Sequence, residues 1–389
     1  MRRIGVILTA HYAEIMSTYI HQIKNWPTFT WEQDKIALKL GEIRNRQGRL
    51  LGRMEGVGFH FQAEANLQIL TLDVLKSSEI EGEILNPDQV RSSIARRLGM
   101  DIAGLIPADR DVEGVVEMML DATQKYSLPL THERLFDWHA AMFPTGRSGM
   151  HKIIVGNYRN NTSEDPMQVV SGPMGREKVH FQAPDSELLQ NEMNLLLDWF
   201  NTDFKLDAVL KAAIAHLWFV TIHPFDDGNG RIARAITDMQ LSRADQTQLR
   251  FYSMSSQIRI ERKEYYDILE KTQKGSLDIT EWLDWFLSCL DQALTNTNET
   301  LASVMQKARF WEKHTMTVLN DRQKIMLNKL LDGFEGKLTS SKWAKITKTS
   351  QDTAGRDIND LLNKGILIKE HSGGRSTSYI LKDITNNFS

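Results

Sequence analysis

The run His223-Pro224-Phe225-Asp226-Asp227-Gly228-Asn229-Gly230-Arg231-Ile232-Ala233-Arg234 gathers an imidazole, adjacent carboxylates, two glycines around an asparagine and two guanidinium groups. These types divide into complementary tasks. An imidazole, with an unperturbed pKa near ~6.5, can accept a hydroxyl proton close to neutrality. Asp227 is a hard oxygen ligand suited to a magnesium ion bridging two phosphates. Gly228 and Gly230 permit positive φ and close approach, so their amides can converge on an anion where a following helix begins. Arg231 and Arg234 can take phosphate oxygens, and Phe225 can anchor the loop in a core. A base, a metal ligand and an anion cradle fit for a polyphosphate thus lie in one short loop.

Such a loop needs a rigid frame. Residues 208–220 are apolar nearly all round, the pattern of a helix buried on every side, and Pro224 disfavours helical geometry at His223, so that helix ends with the imidazole at its lip. Helix resumes near Arg231, with Ala235, Ile236 and Met239 on one face. Amphipathic spacing predicts further helices at 31–54, 62–75, 112–126, 186–200 and 279–306, with Gly, Asp and Pro marking a turn across 99–107. Between 152 and 181 the pattern changes to β-branched and turn residues (Ile153-Ile154-Val155, Asn160-Asn161, Val169-Val170, Gly172-Pro173, Val179-His180-Phe181), which predicts a hairpin inserted in a helical protein.

The loop matches at every defining position the Fic family signature of His, Pro, Phe, any residue, acid, Gly, Asn, Gly, Arg, two free positions and Arg, and the chain resembles that family beyond it. The resemblance implies a mainly α fold: a Fic helical core with an inserted β-hairpin flap, a helical N-terminal extension resembled by 26–97, and a C-terminal winged helix. It implies transfer of AMP from ATP to Ser, Thr or Tyr hydroxyls of a target protein, with ATP and Mg2+ as cofactors. His223 is then the base and Asp227 holds magnesium. Asn229 and the amides of Gly228 and Gly230 stabilise developing charge, while Arg231 and Arg234 hold the outer phosphates. Tyr265, Tyr266 and Gln273 resemble the adenine-side wall. Val155-Gly156-Asn157-Tyr158 stands in for the apolar-Gly segment beside the nucleotide, in a flap longer than usual that would position its target by strand addition. Upstream, Ser77-Ser78-Glu79-Ile80-Glu81-Gly82 resembles the family's inhibitory helix motif, in which Glu81 pairs with Arg234 and takes the place of the γ-phosphate.

From residue 320 the character changes again. Helical stretches at 322–331, 341–348 and 353–364, then Ile366-Leu367-Ile368 and Ser378-Tyr379-Ile380-Leu381 around Gly373-Gly374, give three helices and a hairpin, the order of a winged helix. The expected division is a helical domain with the inhibitory motif (1–98), a catalytic core (99–291) with its flap at 152–181, a helical linker (292–319) and the winged helix (320–389). Residues 321–389 carry 12 Lys plus Arg against 8 Asp plus Glu, in a chain whose net charge is -3. Its expected core is Trp343, Ile346, Ile358, Leu361 and Leu362. Lys342, Lys345, Lys348, Ser350, Gln351, Thr353, Arg356 and Arg375 then form a face that suits DNA or a docked protein.

The remaining composition sets limits. At 389 residues, 41% hydrophobic and 25% charged, the chain has ordinary globular composition with room for two or three domains. One cysteine, Cys289, can neither form an internal disulfide nor build a thiolate metal cluster, which fits a reducing compartment. The basic start followed by Ile4 to Ala10 imitates a signal peptide but stops at His11, and no run approaches the ~18 apolar residues of a membrane span. The expectation is therefore cytoplasmic with no membrane partner, and a homodimer is the working expectation for assembly. Two other readings stay open: a DNA-binding transcriptional regulator using the Fic fold as a nucleotide sensor, and a Fic enzyme that removes AMP or transfers another group.

Overall fold

The computed structural model describes residues 19–382, leaving aside 101–103, 163, 174–175, 177, 203–204, 335 and 371–376, and the side chains at 60, 298–300, 303–305 and 308. The signal-like start, the middle of the 99–107 turn, four positions of the 152–181 segment, Gly373, Gly374 and Arg375 therefore lie outside the described residues.

The architecture is mainly helical. Helices α1 (Gln33–Glu55), α2 (Phe59–Ile80) and α3 (Pro87–Arg97) come first, followed by α4 (Arg110–Gln124) and α5 (His132–Met142). Two antiparallel hairpins follow, β1 (Arg147–Ser148) with β2 (His151–Lys152) and β3 (Gln168–Ser171) with β4 (Lys178–Gln182). Then come α6 (Leu189–Asn201), α7 (Ala208–Ile222), α8 (Asn229–Asp245), α9 (Met254–Ile260), α10 (Arg262–Gln273) and the long α11 (Thr280–Lys313). The chain closes with α12 (Asp321–Leu331), α13 (Ser340–Ile346), α14 (Gln351–Asn363) and the pair β5 (Leu367–Lys369) and β6 (Tyr379–Leu381).

Helix α7 is the axis. Asp207 caps its start by accepting from the Val209 amide at 2.8 Å, and every residue from Val209 to Ile222 is buried. With no polar face the helix must be surrounded, and α8 packs along it as its main partner. The α2 terminus is a second fixed point. Gly82 (φ 89°) donates to Glu79 O, and Glu83 donates to Ser78 O at 3.0 Å, the paired bonds of a helix ended by a left-handed residue. This reversal carries Glu83 back toward α8 after Glu81 has left the helix.

The expected hairpin forms at Val169-Val170 in β3 and Val179-His180-Phe181 in β4, whereas Ile153-Ile154-Val155 is not a strand. The backbone there has other partners: Ile154 N donates to Asp226 Oδ2 at 2.8 Å and Gly156 N to His139 Nδ1 at 3.2 Å. β-branched residues fit an extended chain, but ladder bonds need free amides.

A separate apolar cluster begins at the end of α11, with Phe310. Trp343, Ile358 and Leu361 are buried in it with Met326, Leu338 and Leu367, and Ile346 and Leu362 pack against its edge. Lys307 of α11, 7% exposed, bridges Glu64 of α2 at 3.3 Å and Asp332 at 2.8 Å. The C-terminal cluster is thereby tied to α2, the helix that ends just before Glu81. Among the described residues no helix is long and apolar enough to cross a membrane.

Candidate active site

Helix α7 stops at His223, which adopts φ 51° and ψ 58° because the following proline forbids a further helical turn. Its amide still closes the last turn onto Phe219 O at 2.9 Å. His223 Nδ1 lies 3.2 Å from Val220 O, so that nitrogen carries the proton and Nε2 is left as an acceptor. Burial lowers the pKa to about 4, so the ring is neutral near pH 7 while part of its surface stays open.

Arg159 fixes this turn. It is 2% exposed and donates through Nε to His223 O at 2.7 Å and through Nη2 to Pro184 O at 2.6 Å and Ile222 O at 3.3 Å; its amide donates to Pro224 O at 2.9 Å. The Ile222 and His223 carbonyls at the end of α7, which lack helical donors, are thus satisfied by one guanidinium.

The loop is closed from within. Asn229 accepts from Phe225 N at 3.0 Å and donates to Phe225 O at 2.7 Å, so its side chain is spent on the loop and not turned outward to developing charge. Phe225 is fully buried and stacks on His139 with ring centroids 4.3 Å apart and planes 10° from parallel. Because His139 Nδ1 accepts from Gly156 N, its Nε2 bears the proton and donates to Asp227 O at 3.2 Å. Burial lowers the His139 pKa to about 4, which keeps that tautomer neutral. Gly228, at φ 81°, has Phe143 Cε2 2.9 Å and Met142 Cε 3.0 Å from where a Cβ would sit, so only glycine fits.

Arg231 and Arg234 both belong to the first turns of α8, and each is held by a carboxylate from the α2 terminus. Arg234, 1% exposed, donates from Nη2 to Glu81 Oε1 at 2.8 Å and to Ser77 O at 2.8 Å, and from Nε to Ser77 Oγ at 2.8 Å. Arg231 donates to Glu83 Oε2 at 2.5 Å, its guanidinium 5.1 Å from the centre of the Phe143 ring. Burial raises the Glu83 pKa. A Cβ on Gly230 would collide with Glu81 Oε1. The Glu81 carboxylate therefore lies against the start of α8, where unpaired amides and the helix dipole favour an anion.

The sequence-predicted adenine-side residues fall in two groups. Tyr266 Oη lies 3.5 Å from Glu81 Oε2, and Tyr265, 2% exposed, donates to His216 Nε2 at 2.9 Å, since His216 Nδ1 donates to Thr237. Gln273 turns inward, to Val220 O at 3.4 Å and Thr221 Oγ1 at 3.3 Å. Gly156 lies beside His139, to which its amide donates, and Val155 is partly buried against the main apolar core. Sequence reading passed over Arg159, His139 and Glu83. A signal for Glu83 existed: it is the acid directly after the glycine that reverses the chain.

Among the described residues no group of three or more His, Cys, Asp or Glu could hold a metal alone. Magnesium in nucleotide sites takes one or two carboxylates plus phosphate oxygens and waters, so one hard oxygen ligand suffices. Asp227 fits: its carboxylate, half-buried and steadied by the Gly228 amide at 2.6 Å and by Ser148 Oγ, faces the same loop.

The Fic/DOC family profile matches residues 129–241, and a domain of unknown function (DUF4172) matches 19–100. Protein adenylyltransferase fic-1 of Caenorhabditis elegans is 32% identical over 100 residues, 24% of this chain and 18% of that protein. Protein adenylyltransferase Fic of Aedes aegypti is 27% identical over 227 residues, 57% of this chain and 40% of that protein. The chain thus spans less than half the length of these curated relatives. Among solved structures, a Fic family protein from Desulfovibrio desulfuricans G20 is 19% identical with a TM-score of 0.49, over 91% of this chain and 97% of that one.

Proposed function

This chain is a Fic family protein, and from that premise we propose that it is a protein adenylyltransferase that moves AMP from ATP to a Ser, Thr or Tyr hydroxyl of a target protein, restrained by Glu81. One observation carries the reading: a neutral imidazole with Nε2 as acceptor stands beside a helix start whose anion site an internal carboxylate fills.

In this reading the triphosphate displaces the Glu81 and Glu83 carboxylates and takes the α8 amides, Arg231 and Arg234. Asp227 would hold a magnesium ion, which when bound would supply neutralisation of phosphate charge. The target hydroxyl oxygen attacks the α-phosphorus in line, giving its proton to His223 Nε2; the new P–O bond forms as the bond to the β-phosphate oxygen breaks, and pyrophosphate leaves. A pKa near 4 makes His223 a weak base, so its contribution depends on position. Arg159 and Pro224 supply that position. Asn229 acts indirectly by keeping the loop closed.

Incubation with labelled ATP and magnesium tests the proposal. Label is expected on the protein or on target protein, and His223→Ala should lower it about 10²- to 10⁴-fold while nucleotide binding survives. If neither the wild-type chain nor a variant lacking Glu81 becomes labelled, the adenylyl-transfer reading fails.

A further inference from the structure

We propose that the C-terminal helices bind a DNA duplex, with α14 in the major groove and the turn before it on the phosphate backbone; nothing in this depends on the adenylyl-transfer reading. The first support is how charge is partnered. Four carboxylates of this region are tied inward or to neighbours, Asp357 to Arg322 and Asn320, Asp360 to Lys364 and Gln323, Glu370 to Ser378 and Asp332 to Lys307, while Asp321 and Asp352 are exposed. By contrast Lys345, Lys348 and Arg356 are exposed and form no ion pair among the described residues. Exposed cations left without carboxylates suit a polyanion.

Geometry gathers these three cations. Helix α13 is anchored by fully buried Trp343 and is followed after residues 347–350 by α14. Lys348 has φ 51° in that turn, and Ser350 caps α14 by accepting from Thr353 N at 3.2 Å. Helix α14 buries Ala354, Asp357, Ile358 and Leu361. Its exposed stripe is Gln351, Asp352, Arg356 and Asn359, with Gly355 between. A helix has the width of the major groove, and the amides of Gln351 and Asn359 are of the kind that pair with base edges, while Arg356 beside them can reach a flanking phosphate. Asp352, exposed in the first turn, tempers the charge but suits the helix start.

Gly355 is the independent clue. A glycine inside a helix costs about 1 kcal/mol relative to alanine. Here the fold does not call for it: φ is ordinary, and a Cβ at Gly355 would meet nothing within 4 Å. A missing side chain on the outward stripe is what lets a backbone approach a ligand closely. A protein partner fits less well, since none of the described residues from 321 to 382 is an exposed large apolar side chain that could anchor such an interface.

Fluorescence anisotropy of a short mixed-sequence DNA duplex with the full chain, across a series of salt concentrations, tests this. Binding should weaken with salt with a log–log slope of roughly -3, from three phosphate contacts at about -0.9 each. Lys345→Ala, Lys348→Ala and Arg356→Ala should each reduce that slope by about one, and Arg356→Lys should restore it. Gly355→Ala should bind several-fold more weakly yet melt no lower than wild type, which separates lost contact from lost fold. Absence of salt-dependent binding, slopes unmoved by the three alanines, or full affinity in Gly355→Ala would overturn the proposal.

Discussion

Replacing Glu81 by glycine should accelerate adenylyl transfer. The Glu81 carboxylate lies 2.8 Å from Arg234 Nη2 and against Gly230, so it must leave before a phosphate can use either the guanidinium or the amides. Arg234 is 1% exposed at its side chain and Glu81 30%, a partly desolvated pair. A charge-assisted hydrogen bond in such a setting is worth about 1.5 to 3 kcal/mol, and solvent screening at Glu81 favours the lower end. That corresponds to a tenfold to hundredfold suppression of productive nucleotide binding, so Glu81→Gly should raise the initial rate by about that factor. Arg234 would keep its two bonds to Ser77, so the guanidinium should stay in place and the nucleotide-free variant should melt only modestly lower. It should recover more from magnesium-ATP than wild type does, because phosphate re-pairs an otherwise unmatched cation. Glu83→Gln, which weakens the hold on Arg231, should act in the same direction to a smaller extent, since Glu83 is 45% exposed at its side chain. Automodification with labelled ATP, read beside thermal shift, decides the matter. An unchanged or slower rate in Glu81→Gly would refute the autoinhibitory role and leave the residue as a plain helix end.

Arg159→Lys should slow transfer about tenfold or more with little change in nucleotide KM, because lysine cannot reach His223 O, Ile222 O and Pro184 O together; equal single-turnover rates would remove Arg159 as a positioning residue. Stability should fall as pH drops from about 6.5 toward 4. Burial lowers His21, His139 and His223 to about 4 and His216 to about 3, so between those values and ~6.5 the unfolded chain binds protons that the native one does not. Asp73, Asp238 and Asp245, whose pKa values burial raises, bind protons in the native state first and make the decline shallower. Denaturation midpoints that stay level between about pH 7 and 5 would contradict that balance.

The loop from His223 to Arg234 is legible because its punctuation is local: Pro224 stops one helix, Gly228 starts the next, and both appear as such. The all-apolar run of α7 likewise implied burial on every side, which the structure shows. Helix α3 escaped notice since its composition, Pro-Asp-Gln-Val-Arg-Ser-Ser-Ile-Ala-Arg-Arg, has few apolar residues; the Asn86 cap with Pro87 behind it was the available sign. Ile153 to Val155 mislead because residue preference says nothing about what an amide bonds to, and here the Ile154 amide goes to Asp226 and the Gly156 amide just after them to His139. Arg159 and His139 were invisible for a related reason. Each acts through contacts to the loop 64 to 88 positions away, where spacing along the chain carries no information.

The left-handed backbone at His223 bears on how this protein would respond to selection for heat resistance. A residue with a β-carbon in that region costs about 1 to 2 kcal/mol relative to glycine, which enters it freely. Thermal screening should therefore enrich His223→Gly, a change that relaxes the chain and deletes the proposed general base in one step. Such a variant would be more robust and inert, whereas His223→Ala keeps the unfavourable backbone and gains no such advantage. Any campaign to harden this scaffold has to score turnover alongside melting temperature, because at this one position the two criteria select opposite residues.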